Sequence, residues 1–79
     1  MFEDTHKLHC LKSLSINGSC FNLCYFWKDD SIFSSDYRRC FVLLPKDKFS
    51  VKGEYKIGDL IDYFVSFALA KDLFNSVDN

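Results

Sequence analysis

Backbone breakers are scarce in this chain: its 79 residues include three glycines and one proline. With so few, no stretch reads as a flexible or proline-rich linker, and no segment repeats another. Long apolar runs are missing too. The longest uncharged stretch near the C-terminus covers residues 63–70, far below the ~20 apolar residues a helix needs to cross a bilayer. No membrane association is expected. Charge of one sign is also lacking. The net charge of −1 argues neither for nor against nucleic acid. Residues 1–6 contain neither a basic n-region nor an apolar h-region, so no signal peptide is expected and the reading is cytoplasmic.

What is present is a core. Apolar residues make up 48% of the chain and aromatics 18%, enough for a folded domain with a ring-rich interior. The length leaves room for one core, so residues 1–79 read as one domain. In a reducing compartment the four cysteines are expected to be metal-free thiols. Cys20 and Cys24 lie four apart on a strand-like run, about 13 Å at ~3.3 Å per residue. That is too far for one zinc or for a disulfide, which needs roughly 4.4–6.8 Å. His6, His9, Cys10 and Cys40 do not complete a zinc pattern. No cofactor or small-molecule substrate is expected.

Asn17-Gly18 between two strand-like runs predicts a type I′ hairpin. Asn17-Gly18-Ser19 also fits a glycosylation sequon, but without a secretory route the turn reading prevails. With Ile16 opposite Ser19, Leu14 faces Phe21, Lys12 faces Leu23 and Cys10 faces Tyr25. Alternation then puts Leu8, Cys10, Leu14, Ile16, Phe21, Leu23, Tyr25 and Trp27 on one core face, interrupted by Lys12. The opposite face carries His9, Leu11, Ser13, Ser15, Cys20, Asn22, Cys24 and Phe26 and is expected to be partly wet.

A third strand is predicted over residues 37–44, stopped by Pro45. Residues 49–51 alternate and are predicted as a short fourth strand. A single amphipathic helix is predicted from about 58 or 59 to 75, with Asp59 as N-cap or first-turn acid. The fold class is therefore α+β: a three- or four-stranded antiparallel meander with one C-terminal helix on the Leu14/Phe21/Leu23/Tyr25 face. Around such a helix, apolar residues span ~220°, about twice what packing on one sheet demands. The sheet is expected to take Leu60, Ile61, Phe64, Val65 and Ala68. Phe67, Phe74 and Leu69 then remain as flanks. Either a partner covers them, as another protein or a second copy, or Phe2 and the 31–36 loop do.

The 38–56 segment holds six basic residues against two acidic ones. Arg38, Arg39, Lys46, Lys48, Lys52 and Lys56 are interleaved with Phe49 and Tyr55, a composition that can track a phosphate backbone and stack bases. The same charges also suit a solvated strand edge. For catalysis there is no phosphate-cradling glycine loop and no nucleophile elbow. The nearest approach to a dyad is His9 beside Cys24, diagonal on one sheet face at roughly 7–8 Å, with no third group to orient it. In size and build alone the chain resembles the small anti-defence inhibitors of phages and mobile elements, such as anti-CRISPR proteins. That resemblance implies a compact domain that covers a surface on a larger complex. The functional expectation is a non-enzymatic protein-binding module acting as an inhibitor or a homodimer, with nucleic-acid binding through 38–56 as the alternative.

Overall fold

The computed structural model describes residues 5–27 and 39–76. Phe2, the 31–36 loop and Arg38 lie outside them, so the expectations on those residues stay with the sequence. In chain order the elements are β1 (Thr5–Lys7), β2 (His9–Ile16), β3 (Ser19–Trp27), β4 (Arg39–Pro45), β5 (Glu54–Lys56), α1 (Ile57–Leu60), a 3₁₀ turn (Ile61–Tyr63), β6 (Phe64–Val65) and α2 (Phe67–Phe74). One antiparallel sheet runs in the order β2-β3-β4-β6, and β1 pairs with β5 in a separate ribbon. The architecture is a small α+β domain.

The hairpin forms where the turn chemistry requires it. Asn17 (φ 51°) and Gly18 (φ 83°) both take positive φ, which a two-residue type I′ turn demands. Ile16 opposes Ser19, Leu14 opposes Phe21 and Lys12 opposes Leu23. Beyond Lys12 the expected register fails. A bulge at Leu11 shifts the pairing by one, so Cys10 opposes Cys24 and His9 opposes Tyr25. A one-residue slip turns every following side chain to the other face. Leu8 and Cys10 thereby leave the face on which alternation put them, and His9 moves onto it.

Both faces of the sheet carry core. On one, Leu8, Cys24, Phe26, Val42 and Leu44 are buried with Leu60, and Phe49, Tyr55, Ile57 and Tyr63 pack against them. The face expected to be partly wet is thus closed around Cys24 and Phe26, because the β1–β5 ribbon and α1 bring these aromatic and aliphatic side chains onto it. Ser13 and buried Asn22 join across the same strands, the hydroxyl donating to Asn22 Oδ1 at 2.8 Å. On the other face Leu14 and Leu23 pack with Ala70, flanked by Phe41, Leu43, Val65 and Leu73. This is the face expected to receive the C-terminal helix.

That helix is not continuous. The segment predicted as helix from 58 or 59 to 75 breaks into α1, the 3₁₀ turn, β6 and α2. Phe64 and Val65 pair with Val42 and Phe41. An aromatic followed by a β-branched residue suits a pleated surface better than a helix, and the outer edge of β4 is there to pair with. Ser66 then restarts the helix as N-cap, its hydroxyl accepting from the Leu69 amide at 3.1 Å. Asp59 acts as a first-turn acid in α1, where it accepts from the Lys56 amide at 3.3 Å. The ~220° arc therefore does not exist as one surface. Leu60 is buried, but Ile61, Phe64 and Ala68 are exposed rather than taken by the sheet.

The fourth strand of the sheet is β6, not residues 49–51, which lie outside any strand. Phe49 instead sits edge-on to Tyr55 and Tyr63, with ring centroids 5.4 and 5.0 Å away. The Tyr55 hydroxyl donates to the Ser50 carbonyl at 3.1 Å and accepts from the Ser50 amide at 2.8 Å. This closure needs Gly53, since a Cβ there would lie 2.8 Å from the Tyr55 hydroxyl oxygen.

Candidate functional site

The α2 side of the sheet is only partly roofed. A helix of eight residues is about 12 Å long at ~1.5 Å per residue. β3, with nine residues, runs about 30 Å at ~3.3 Å per residue. The roof covers Leu14 and Leu23, and the end of the face nearest the start of β4 stays open.

An aromatic cluster fills that open end. Tyr25 is its centre. His9 stacks on it at 5.0 Å and 22°, Trp27 meets it edge-on at 5.8 Å, and Phe41 lies tilted at 5.9 Å. Phe67, at the start of α2, extends the cluster from Phe41 with ring centroids 5.8 Å apart. The Arg39 guanidinium lies over both Tyr25 and Trp27, 5.5 and 5.3 Å from their centroids. Cation–π contacts of this kind hold a long side chain in one pose. Trp27 is 44% exposed and Phe67 66%, so large rings face outward. Local sequence explains the arrangement. Residues 23, 25 and 27 share one side of β3 and residues 39 and 41 the matching side of β4, and Tyr25 opposes Phe41 while Trp27 opposes Arg39.

The residues singled out in the sequence fall in several places. Phe67 joins the aromatic cluster. Leu69 and Phe74 are also exposed on α2, at 44% and 50%. The described basic residues do not form one patch. Arg39 opens β4, while Lys46 and Lys48 follow its end. The seven-residue strand that Arg39 begins puts Lys46 seven residue steps away, about 23 Å at ~3.3 Å per residue. Lys46 and Lys48 rim an open groove of about 670 Å³ beside Gly18, Cys20 and Phe21, with Asp47 between them. Lys52 lies in the turn before β5, and Lys56 is the N-cap of α1. Lys12, on β2, turns inward instead. Its ammonium donates to the Phe74 carbonyl at 3.0 Å and to the Ser76 carbonyl, placing a cation at the C-terminus of α2, where the helix dipole favours it.

Tyr25 and Trp27 were not among the sequence candidates, and His9 was weighed only as a metal ligand or as the partner of Cys24. Alternation put the first two on the right face but assigned them to the core, because a helix of 17 or so residues would have covered them. The Ser66 cap was the legible sign that the helix is shorter. His9 needed the bulge, which the sequence does not announce. The bulge also dissolves the dyad: His9 stacks on the open face, while Cys24 is fully buried on the closed one. Burial, reinforced by the adjacent Cys10 thiol, pushes the Cys24 thiol up to about 12, the opposite of the lowered value that a catalytic thiolate–imidazole pair requires. Among the described residues no three His, Cys, Asp or Glu side chains converge as a metal site, and no helix is long and apolar enough to cross a membrane.

No family model, curated protein or solved structure matches this chain.

Proposed function

We propose that this chain is a non-enzymatic, cytoplasmic protein-binding module, of the kind that inhibits a larger complex stoichiometrically, and that it docks through the open aromatic face. The observation that carries this reading is the Arg39 guanidinium held over Tyr25 and Trp27 beside outward-facing Phe67. Tryptophan, tyrosine and arginine are the residues that dominate binding energy at protein interfaces, above all when they cluster. The arginine is already ordered by the rings, so little side-chain freedom is lost on docking. Leu69 and Phe74 extend the apolar surface along α2.

The test is affinity capture from the native host with the wild type and with Trp27→Ala, Arg39→Ala and Phe67→Ala. A protein held near one-to-one by the wild type and lost from all three variants, with their circular dichroism unchanged, supports the reading. The same protein retained by all three overturns it. Self-association is resolved by sedimentation of wild type and Phe74→Glu. If the wild type is a dimer that the folded variant dissociates, the partner is a second copy.

One further observation favours nucleic acid as the second reading. Rings ranged across a sheet surface beside a guanidinium can stack bases. The scattering of Lys46, Lys48, Lys52 and Lys56 away from Arg39 ranks it second, since among the described residues no continuous cationic track follows the rings. Sub-micromolar binding to a defined oligonucleotide at physiological salt would promote this reading. The salt slope should then fall by up to about two units in Arg38→Ala/Arg39→Ala.

A further inference from the structure

The Leu11 bulge does more than move His9. It sets Cys10 opposite Cys24 on adjacent antiparallel strands. We infer that this pair is a dithiol modification site, which a low-molecular-weight disulfide such as oxidised glutathione closes to a Cys10–Cys24 disulfide.

Geometry carries the assignment. Directly opposed residues of an antiparallel pair have Cα atoms about 4.5–5.5 Å apart, inside the roughly 4.4–6.8 Å that a disulfide spans. Opposed side chains also leave the sheet on the same face, and Cys10 is close enough to raise the pKa of Cys24. The other cysteines are placed worse. Cys20 lies four residues from Cys24 along β3, about 13 Å away. Cys40 opposes Phe26 rather than Cys24, and such a diagonal neighbour is about 7–8 Å distant. Both thiols are reduced in this structure.

Exposure sets the order of events. Cys10 is exposed and Cys24 is 0% exposed, so of the pair Cys10 meets the reagent first. Its thiolate attacks one sulfur of the oxidised glutathione. A protein–glutathione mixed disulfide forms and one glutathione leaves as its thiolate. Cys24 then attacks the Cys10 sulfur and expels the second glutathione, whose departing thiolate takes up the proton that Cys24 releases. Two protein thiols are oxidised by two electrons, and one glutathione disulfide is reduced to two thiols. The second step is the slow one, because burial holds Cys24 protonated. The new bond ties β2 to β3 at the bulge. It fixes the register in which His9 stacks on Tyr25 across the sheet. Reduced and oxidised protein therefore differ in how firmly the β2 edge of the open face is held. This inference does not depend on what binds that face.

The experiment uses the full reduced chain, incubated with excess oxidised glutathione at mildly alkaline pH and followed by intact mass and peptide mapping. The expected wild-type product yields one peptide pair joined through Cys10 and Cys24 with the loss of two hydrogens, whatever glutathione the exposed Cys20 also takes up, and reverts with dithiothreitol. Cys24→Ala, which keeps the site apolar, should stop at Cys10 carrying one glutathione. Cys10→Ser should leave Cys24 unmodified while the protein is folded. Two results overturn the inference: wild type that accumulates glutathione on Cys10 without closing, or a dominant bond from either residue to Cys20 or Cys40.

Discussion

The two faces of the β2-β3-β4-β6 sheet are built from the same strands and end up with opposite fates. On one, Cys24, Phe26, Val42 and Leu44 are 0–1% exposed beneath Leu60 and the β1–β5 ribbon. On the other, Leu14 and Leu23 are buried under Ala70, while Trp27, Phe67, Leu69 and Phe74 face outward. Both faces are rich in apolar side chains, so hydrophobicity does not separate them. Cover does. One lid combines a ribbon, a short helix and three aromatic rings from Phe49, Tyr55 and Tyr63. The other is one eight-residue helix. A face is closed by the reach of what lies over it as much as by its own residues, and the uncovered remainder is available for binding.

Single substitutions should pull the two faces apart. Phe26→Ala, on the closed face, should cost about 3–5 kcal/mol of stability, because the cavity cannot collapse within a packed interior. In so small a domain that is most of the margin, and urea unfolding should show a midpoint lowered toward zero. Its sequence neighbour Trp27 should behave otherwise. Trp27→Ala should change stability by no more than about 1 kcal/mol while abolishing partner capture. Similar stability losses for the two would mean that the open face is core after all.

Cys24 gives the closed face a pH signature. Burial raises its pKa from 9.0 to about 12. The unfolded chain therefore loses this proton first as pH rises. The stability associated with the buried neutral thiol is complete below pH 9 and declines as pH climbs toward 12. The expected slope is about 1.4 kcal/mol per pH unit in that window. Denaturant midpoints taken at intervals from pH 8 to 11 should fall faster for wild type than for Cys24→Ala. Parallel curves would show that Cys24 ionises as readily folded as unfolded.

A smaller effect tests how the short lid is held. Lys12→Met removes the ammonium from the Phe74 and Ser76 carbonyls while keeping the aliphatic stem. It should cost about 0.5–1 kcal/mol and speed hydrogen exchange in α2 more than in β3 or β4. Uniform exchange across the chain would place the anchorage of α2 elsewhere, in the Ala70 and Leu73 contacts.

The sequence alone determined the elements whose causes are local. Asn17-Gly18 demands positive φ at two consecutive residues, which sets the hairpin and its register as far as Lys12. The apolar run ending at Pro45 makes β4, since proline has no amide to continue a ladder. Exposure of Phe67, Leu69 and Phe74 also followed from pattern, although from a helix longer than the one that forms. Tertiary structure decided the rest, because the alternatives were close in local energy. With and without the Leu11 bulge, β2 alternates equally well. Only the burial of Leu8 beside Phe26 under the ribbon selects the shifted register. Residues 64 and 65 could propagate a helix or pair with a strand, and the open edge of β4 tips them to β6. That choice shortens α2, and the short α2 leaves Tyr25, Trp27 and Arg39 uncovered. The open aromatic face is thus a consequence of two long-range pairings, which no local pattern in the chain encodes.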